Sequence, residues 1–587
     1  MVHFKYRVLT VVLASGLASV LSVPVSVPDG SGSVSQAVSD ERQTTTGSGM
    51  AGVLSSHSSS SSQPIIVART ESHLESEVEN RKEEAIVSYM NAQYPKTAQL
   101  EAEKSYSIEQ AAEMELDPSH FLSLPRPSGS TSLNGDSSVV DTTTLAAHDF
   151  DVDPRTGFMP PHPPLERLPD RLDGMDYVRW EEALKDAMGG EGKERLQLGD
   201  RKAGLTKEEK ERNDEWRERV KNLPMLDIRP LLRSELMLRR AHHVLAWILH
   251  FYVHSISSPQ NQIRIPPPLS VPLLQVCREM QMPPVLTYSD DVLYNWALMS
   301  SSTIDPNNLR ILSSFTGTPS ESHFYLTSAR IELIGVRALA LMQSTLDELF
   351  VGDQIAVRRI TGYLSALGTI VAEMEVELKK MPEGCDPSLF YEHIRPWFRG
   401  IDFMKEEGWV FEGLEADSAL EQPTELSGPS AGQSSLIHAL DVFLGVHEFS
   451  HKESNSNSFL SRMQSYMPRH HRNFLSHLQS QNTRRSLRAL VFDGLDQTGG
   501  NGYAPMDDGH ALLEAYNSAV FALKKFRDAH FVIVARYIIG PAAAVDRPTA
   551  AERASLEDAP LKGTGGTDLA RFLKGVRDST REAIIDL

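Results

Sequence analysis

Four stretches of this chain hold residues whose types and spacing can do chemistry. His447-Glu448-Phe449-Ser450-His451 satisfies the pattern H-E-x-x-H. On an α-helix the two histidines share one face and can bind zinc, with Glu448 as the general base. The longer form of the motif fails, because Ser454 stands where a glycine belongs and Asn457 where a third histidine belongs. A polar helix end running into KESNSNS is the plainer reading of the same residues. His530 is the second candidate: in KKFRDAHFVIVARYIIGP it shares a helical face with Ile533, Val534, Tyr537 and Ile538. Such an imidazole is either a satisfied core histidine or the axial ligand of a five-coordinate haem whose sixth position is left for a gas. Periodicity does not separate the two. Third, Leu426 to Ser435 (LSGPSAGQSS) sets small and hydroxylated residues before a helix, as an N-cap and anion cradle or as a tight loop. Fourth, Lys562 to Asp568 (KGTGGTD) precedes another helix, but without a preceding strand or the Walker lysine order it does not read as a nucleotide loop.

The elements that must position these residues are helical. Helical patterns run over Tyr177–Ala187, a highly charged Lys207–Val220, and Leu231–Tyr252, where apolar residues recur at three- and four-residue spacing. Further long helices are expected over roughly 323–347, 353–380, 387–398, 433–450, 458–479, 510–540 and 567–585. Alternating β patterns are few, so the fold class expected is all-α, a two-part helical body. A break at SSFTGTPS (Ser313 to Ser320) separates a small helical domain, 148–318, from a large one, 319–587.

The first quarter differs in kind. All six tryptophans lie beyond residue 179, whereas residues 1–150 contain 28 serines. Residues 1–147 therefore read as a signal-like leader (1–25), a Ser/Gly-rich linker and a charged, mostly disordered extension. No later apolar run has the length and purity of a stable membrane span. The net charge of −20 argues against a nucleic-acid partner. Cys277 and Cys385, the two cysteines, exclude a disulfide scaffold, a four-cysteine zinc module and a cysteine-held iron–sulfur cluster.

Taken in order along the chain, eight blocks resemble the indoleamine 2,3-dioxygenase family, haem enzymes that open the indole ring of tryptophan. They are DPRTGFMPPHPPLERLP, PPVLTYSDDVLYNW, FYLTSARIE, FYEHIRPWFRG, SAGQSSLIHALDVFLG, YMPRHHRNFL, HFVIVARYIIGPA and KGTGGTDL, spread over about residues 148–587. The resemblance implies one haem b per chain with His530 as the proximal iron ligand, and Arg527 and Asp441 as a charged pair on that side. On the distal side it implies Tyr288, Val292, Phe324, Ser328, Phe390, Tyr391, Arg395, Phe398, Ser430, Ala431 and Thr564, with Ser328, Phe390 and Arg395 closest to catalysis. Arg395 would hold the substrate carboxylate bidentately. Ser328 would hydrogen-bond the substrate or dioxygen, and Ser430 would also face the cofactor. The glycine-rich loop Gly563 to Thr567 would close over the site.

The implied reaction consumes dioxygen and L-tryptophan, with related indoleamines as further candidates. It yields N-formylkynurenine, the first product of the kynurenine route, and needs an unidentified electron donor to keep the iron ferrous. A monomer is expected. The family points to the cytoplasm, while residues 1–25 point to secretion or an organelle. Two residues depart from familiar members: Asp291 where they have cysteine, and Pro429 where they have glycine. A haem-binding sensor or scaffold with little turnover is the alternative reading, and a zinc hydrolase built on His447, Glu448 and His451 a second.

Overall fold

A computed structural model describes residues 145–257, 262–300, 304–401, 408–452, 459–495, 506–545 and 569–586. The expected leader and linker, the loop Gly563 to Thr567 and Thr564 lie outside the described residues. Among those residues helix dominates, as the apolar spacing predicts. The chain runs through α1 (Val178–Ala187), α2 (Lys207–Lys221), α3 (Glu235–His254), β1 (Ile263–Ile265) and α4 (Pro267–Met280). It continues through β2 (Trp296–Leu298), β3 (Leu309–Ile311), α5 (Pro319–Val351), α6 (Gln354–Lys379) and β4 (Trp409–Phe411). It ends with α7 (Ser435–Phe443), α8 (Arg469–Arg484), α9 (Leu487–Leu495), α10 (Met506–Val534) and α11 (Leu569–Glu582). β1 pairs in parallel with β4, and β2 antiparallel with β3.

The long helices start where side chains can satisfy their free N–H groups. Thr206 and Glu209 form a reciprocal capping box at α2. Thr318 caps α5 ahead of Pro319, and Asp353 accepts from Ala356 N–H at 2.7 Å to start α6. Between α5 and α6 the chain reverses at Gly352, whose φ of 66° ends the first helix.

Three spans expected as continuous helices are interrupted. Over 387–398 the chain makes one α turn, a π turn (Phe390–Ile394) and a 3₁₀ turn (Arg395–Phe398), because Pro396 has no N–H to donate and restricts the residue before it. Over 433–450, α7 stops at Phe443 and Gly445 adopts a φ of 71°, after which Val446–Lys452 winds as a 3₁₀ helix. The span 458–479 divides at Pro468, which caps α8.

Two large apolar clusters hold the body together. One surrounds α3, whose residues from Leu238 to His254 are all buried, and gathers Trp180, Trp216, Trp247, Trp397 and Trp409. A helix buried along this much of its length belongs in such a position, and its charged and histidine side chains each find a partner. Arg240 pairs with Glu181 at 2.6 Å, His242 with Asp290 at 2.7 Å, and His250 and His254 meet the carbonyls of Trp397 and Arg399. The other cluster lies among α5, α6, α7, α8 and α10. The stretch Gln354–Gly384, which begins with α6, is long and apolar enough to cross a membrane by length and composition. Here α6 packs along both α5 and α10.

Candidate active site

Three π turns occur among the described residues: Ser289–Leu293, Phe390–Ile394 and Ala535–Ile539. The first carries Asp291 and Val292, the second carries Phe390 and Tyr391, and the third follows His530 directly at the end of α10. Such insertions widen a helix locally and recur at functional sites. Phe390 joins two of them, its ring 5.7 Å from that of Tyr537 and 4.9 Å from that of Phe324.

A cavity with about 1280 Å³ of atom-free space, mouth included, opens between the first π turn, α5, the loop before α7, α10 and α11. It brings together Tyr288, Asp291, Val292, Phe324, Ser328, Phe398, Ser430 and Ala431 with Asp441, Arg527 and His530. Phe324 and Ser328 are one turn apart on α5, so one helix face presents both, together with Ile331. Pro429 also lines it.

Each wall is held by its own hydrogen bonds. Tyr288 donates its backbone N–H to Gln433 Oε1 at 2.8 Å, and Gln433 Nε2 donates to the carbonyl of Gly428 at 2.9 Å. Glu332, buried one turn beyond Ser328, accepts at Oε1 from the hydroxyls of Tyr288 (2.9 Å) and Ser434 (2.7 Å). Burial pushes the Glu332 carboxyl up to about 7. Ser430 Oγ accepts from Gly432 N–H and fixes the turn before α7.

On the opposite wall Arg527 Nη2 donates to both oxygens of Asp441, each at 2.6 Å, and Nη1 donates to Thr580 Oγ1. This one guanidinium ties α7 and α11 to α10 just ahead of His530. Among the described residues no hydrogen bond reaches a ring nitrogen of His530. Burial, with Arg527 adding to it, pulls the imidazole down to about 4, so the ring is neutral at physiological pH. A neutral imidazole with no partner among the described residues, on a cavity wall, is free to act as a metal ligand, which the spacing of α10 alone does not reveal.

Three predicted residues stand beside the cavity, not in its described wall. Phe390 backs onto Phe324, Tyr391 lies on the same π turn, and Arg395 is buried with its guanidinium 5.7 Å from the Tyr391 ring. Burial pulls Arg395 down to about 10. Other lining residues were passed over in sequence: Phe526, four positions before His530 on α10, and Phe572, Leu573 and Val576 of α11. Helical spacing could have found Phe526. The α11 residues carried only an amphipathic pattern, which does not say what they cover.

The H-E-x-x-H reading loses its geometric basis. His447 and Glu448 lie on the 3₁₀ segment, where three residues make a turn and positions i and i+4 no longer share a face. The one group of three metal-capable side chains converging among the described residues is Asp151, Glu235 and His470, with no member of the motif in it.

Comparison with known proteins agrees with this geometry. A family model described as indoleamine 2,3-dioxygenase matches residues 146–583. Indoleamine 2,3-dioxygenase of Saccharomyces cerevisiae is 30% identical over 460 residues, 73% of this chain and 91% of its own. Indoleamine 2,3-dioxygenase 1 of Rattus norvegicus is 30% identical, covering 74% of this chain and 95% of its own. A 6-hydroxytryptophan 2,3-dioxygenase of Fusarium equiseti is 28% identical over 76% of this chain and 99% of its own. With three quarters of its length matched and its cavity residues falling within the matched span, the chain belongs to the indoleamine 2,3-dioxygenase family.

Proposed function

We propose that the protein is a haem-dependent dioxygenase that inserts both atoms of dioxygen across the indole C2–C3 bond of tryptophan or a close relative to give an N-formylkynurenine. The observation that carries this reading is His530: a neutral imidazole without a described protein partner, on the wall of a cavity otherwise largely aromatic and aliphatic. The donor set suits a haem, whose iron takes one histidine while its macrocycle takes apolar walls such as Phe526, Ile533, Leu573 and Val576. When bound, the haem would supply the oxygen chemistry, with an external donor keeping its iron ferrous.

The chain's own residues supply binding, orientation and dryness. Phe324, Phe398, Val292 and Tyr288 form flat and aliphatic surfaces that accept an indole and exclude water. Ser328 offers a hydroxyl from the α5 face. Arg527 is the one guanidinium among the described lining residues and its charge is taken by Asp441. We assign the substrate carboxylate to Arg395, the buried cation that follows the π turn of Phe390 and Tyr391. The Arg527–Asp441 pair fixes the orientation of α10 and so of the imidazole. The names of the relatives put indoleamines and 6-hydroxytryptophan among the candidate substrates.

The test is formation of N-formylkynurenine from tryptophan under dioxygen and a reductant, with a Soret spectrum of each protein. Wild type should give both product and a haem band, and His530→Ala should lose both. Arg395→Ala should keep the band and lose roughly ten- to hundred-fold in kcat/KM, the worth of a charged hydrogen bond. A colourless protein that ignores added haem overturns the reading. Haem without product favours a sensor or scaffold, and unchanged turnover in Arg395→Ala removes the carboxylate assignment.

A further inference from the structure

Among the described lining residues is an acid that the reaction as described does not use. Asp291 is 4% exposed, lines the cavity beside Val292, and its Oδ1 has no hydrogen-bond partner among the described residues. Its neighbour Asp290 is fully engaged, receiving hydrogen bonds from His242, the Thr287 hydroxyl and the Thr287 N–H. At Asp291 only its own backbone N–H reaches the carboxyl, and Oδ1 is left over. A buried polar atom left in this way costs about 1–3 kcal/mol unless something outside the protein satisfies it.

The charges around Asp291 decide its form. Burial pushes its carboxyl well above the usual carboxylate range, and the Asp290 and Glu321 carboxylates push the same way. Glu332, behind Tyr288, is a second buried acid on this wall. These influences favour the protonated form, a carboxylic acid with one O–H to donate and a carbonyl oxygen to accept. An indole N–H can satisfy only the acceptor, and the carbon edge of the benzene ring satisfies neither. A hydroxyl on that ring donates and accepts at once.

We infer that Asp291 determines substrate specificity, pairing with a hydroxyl carried on the benzene ring of the indole, so that ring-hydroxylated tryptophans are the preferred substrate class. The inference rests on the indole-cleaving reading proposed above. A site built to bind a substrate hydroxyl discriminates strongly against the analogue without it, because the buried group is then left unpaired.

The experiment measures kcat/KM for tryptophan, 5-hydroxytryptophan and 6-hydroxytryptophan on the haem-loaded full chain, with calorimetric binding of the same compounds. Proteins compared are wild type, Asp291→Asn, which keeps a donor and an acceptor, and Asp291→Val and Asp291→Cys, which do not keep that pair. Wild type should prefer one hydroxytryptophan over tryptophan by about ten-fold or more, the scale of a single net hydrogen bond being the lower bound. Val and Cys should lose that preference in both rate and affinity, and Asn should retain most of it. Two replacements guard against one failing to fold. Cleavage of all three compounds with a ratio unchanged between wild type and both Val and Cys overturns the role of Asp291 alone. A fall in Asn equal to that in Val and Cys does the same. No cleaved product from any of the compounds in wild type overturns the indole-cleaving reading itself.

Discussion

Arg527 donates from Nη2 to both carboxylate oxygens of Asp441 at 2.6 Å, three positions before His530 on the same helix. Both side chains are 8% exposed, so neither charge has water to fall back on. Removing one partner strands the other, a loss of about 3–5 kcal/mol, whereas removing both costs much less. Arg527→Leu and Asp441→Leu should each lower the unfolding midpoint and loosen haem retention. The double variant should recover part of both losses. Urea unfolding of the four proteins in a double-mutant cycle reads the coupling, and additive losses would mean that the pair contributes no more than its separate contacts.

The wall opposite His530 depends on two backbones in contact. A Cβ placed on Gly428 would lie 1.6 Å from the carbonyl oxygen of Phe398, and one on Gly400 would lie 2.0 Å from that of Leu426. Since neither obstacle is a flexible side chain, Gly428→Ala must push the 426–431 loop away from Phe398. Ser430 and Ala431 move with it. The variant should lose at least about 2 kcal/mol of stability by overpacking, and should raise KM for the indole substrate more than it lowers haem content. A fully stable Gly428→Ala with unchanged KM would show that the loop has slack.

Much of the body was legible in the sequence because long amphipathic helices announce themselves: α5, α6 and α10 lie close to their expected spans. What escaped were the short irregular pieces, and those carry the site. Pro396 and Gly445 each break a pattern whose apolar spacing runs on across them, so periodicity reads through a break that backbone sterics enforce. The face of His530 is visible on its own helix, but its lack of a partner among the described residues depends on α7 and α11 and is not visible locally. Glu332 went unnoticed because a lone glutamate on a helix normally faces solvent. Only the folded chain places it against Tyr288 and Ser434.

His250 should make the protein sensitive to acid. Its Nδ1–H donates to the Trp397 carbonyl at 2.7 Å and its Nε2 accepts from the Leu286 N–H at 3.1 Å, an arrangement available only to the neutral ring. Burial pulls it down to about 4, and His243 to about 3. An unfolded histidine titrates near 6.5, so the unfolded chain takes up these protons first as pH falls. The contribution is complete above about pH 6.5 and is lost progressively down to about pH 4, by at most ~1.4 kcal/mol per pH unit for each ring. His242, held charged by Asp290, does not share this trend. His250→Gln should be less stable than wild type at pH 7.5 and show a shallower decline between pH 6.5 and 4.5, read by urea unfolding at several pH values. Parallel declines would rule out His250 as a source of the acid sensitivity.

Glu332 has the opposite sign. Its carboxyl is raised to about 7 in the folded protein by burial, the hydroxyls of Tyr288 and Ser434 only partly opposing this. The folded chain therefore holds a proton that the unfolded chain releases from about pH 4.5 upward. Stability from the protonated form is complete below that pH and falls as pH rises through 7. Glu332→Gln keeps the carbonyl that accepts both hydroxyls and cannot ionise. It should match wild type near pH 5 and exceed it at pH 8 by on the order of 1–3 kcal/mol. Glu332→Ala should be the less stable variant at both values, because it strands two buried hydroxyls on the cavity wall, and its KM for substrate should rise while that of Glu332→Gln stays near wild type. A difference between Gln and wild type that does not change from pH 5 to pH 8 would mean that Glu332 does not titrate in this range, and its hold on Tyr288 would then be independent of pH.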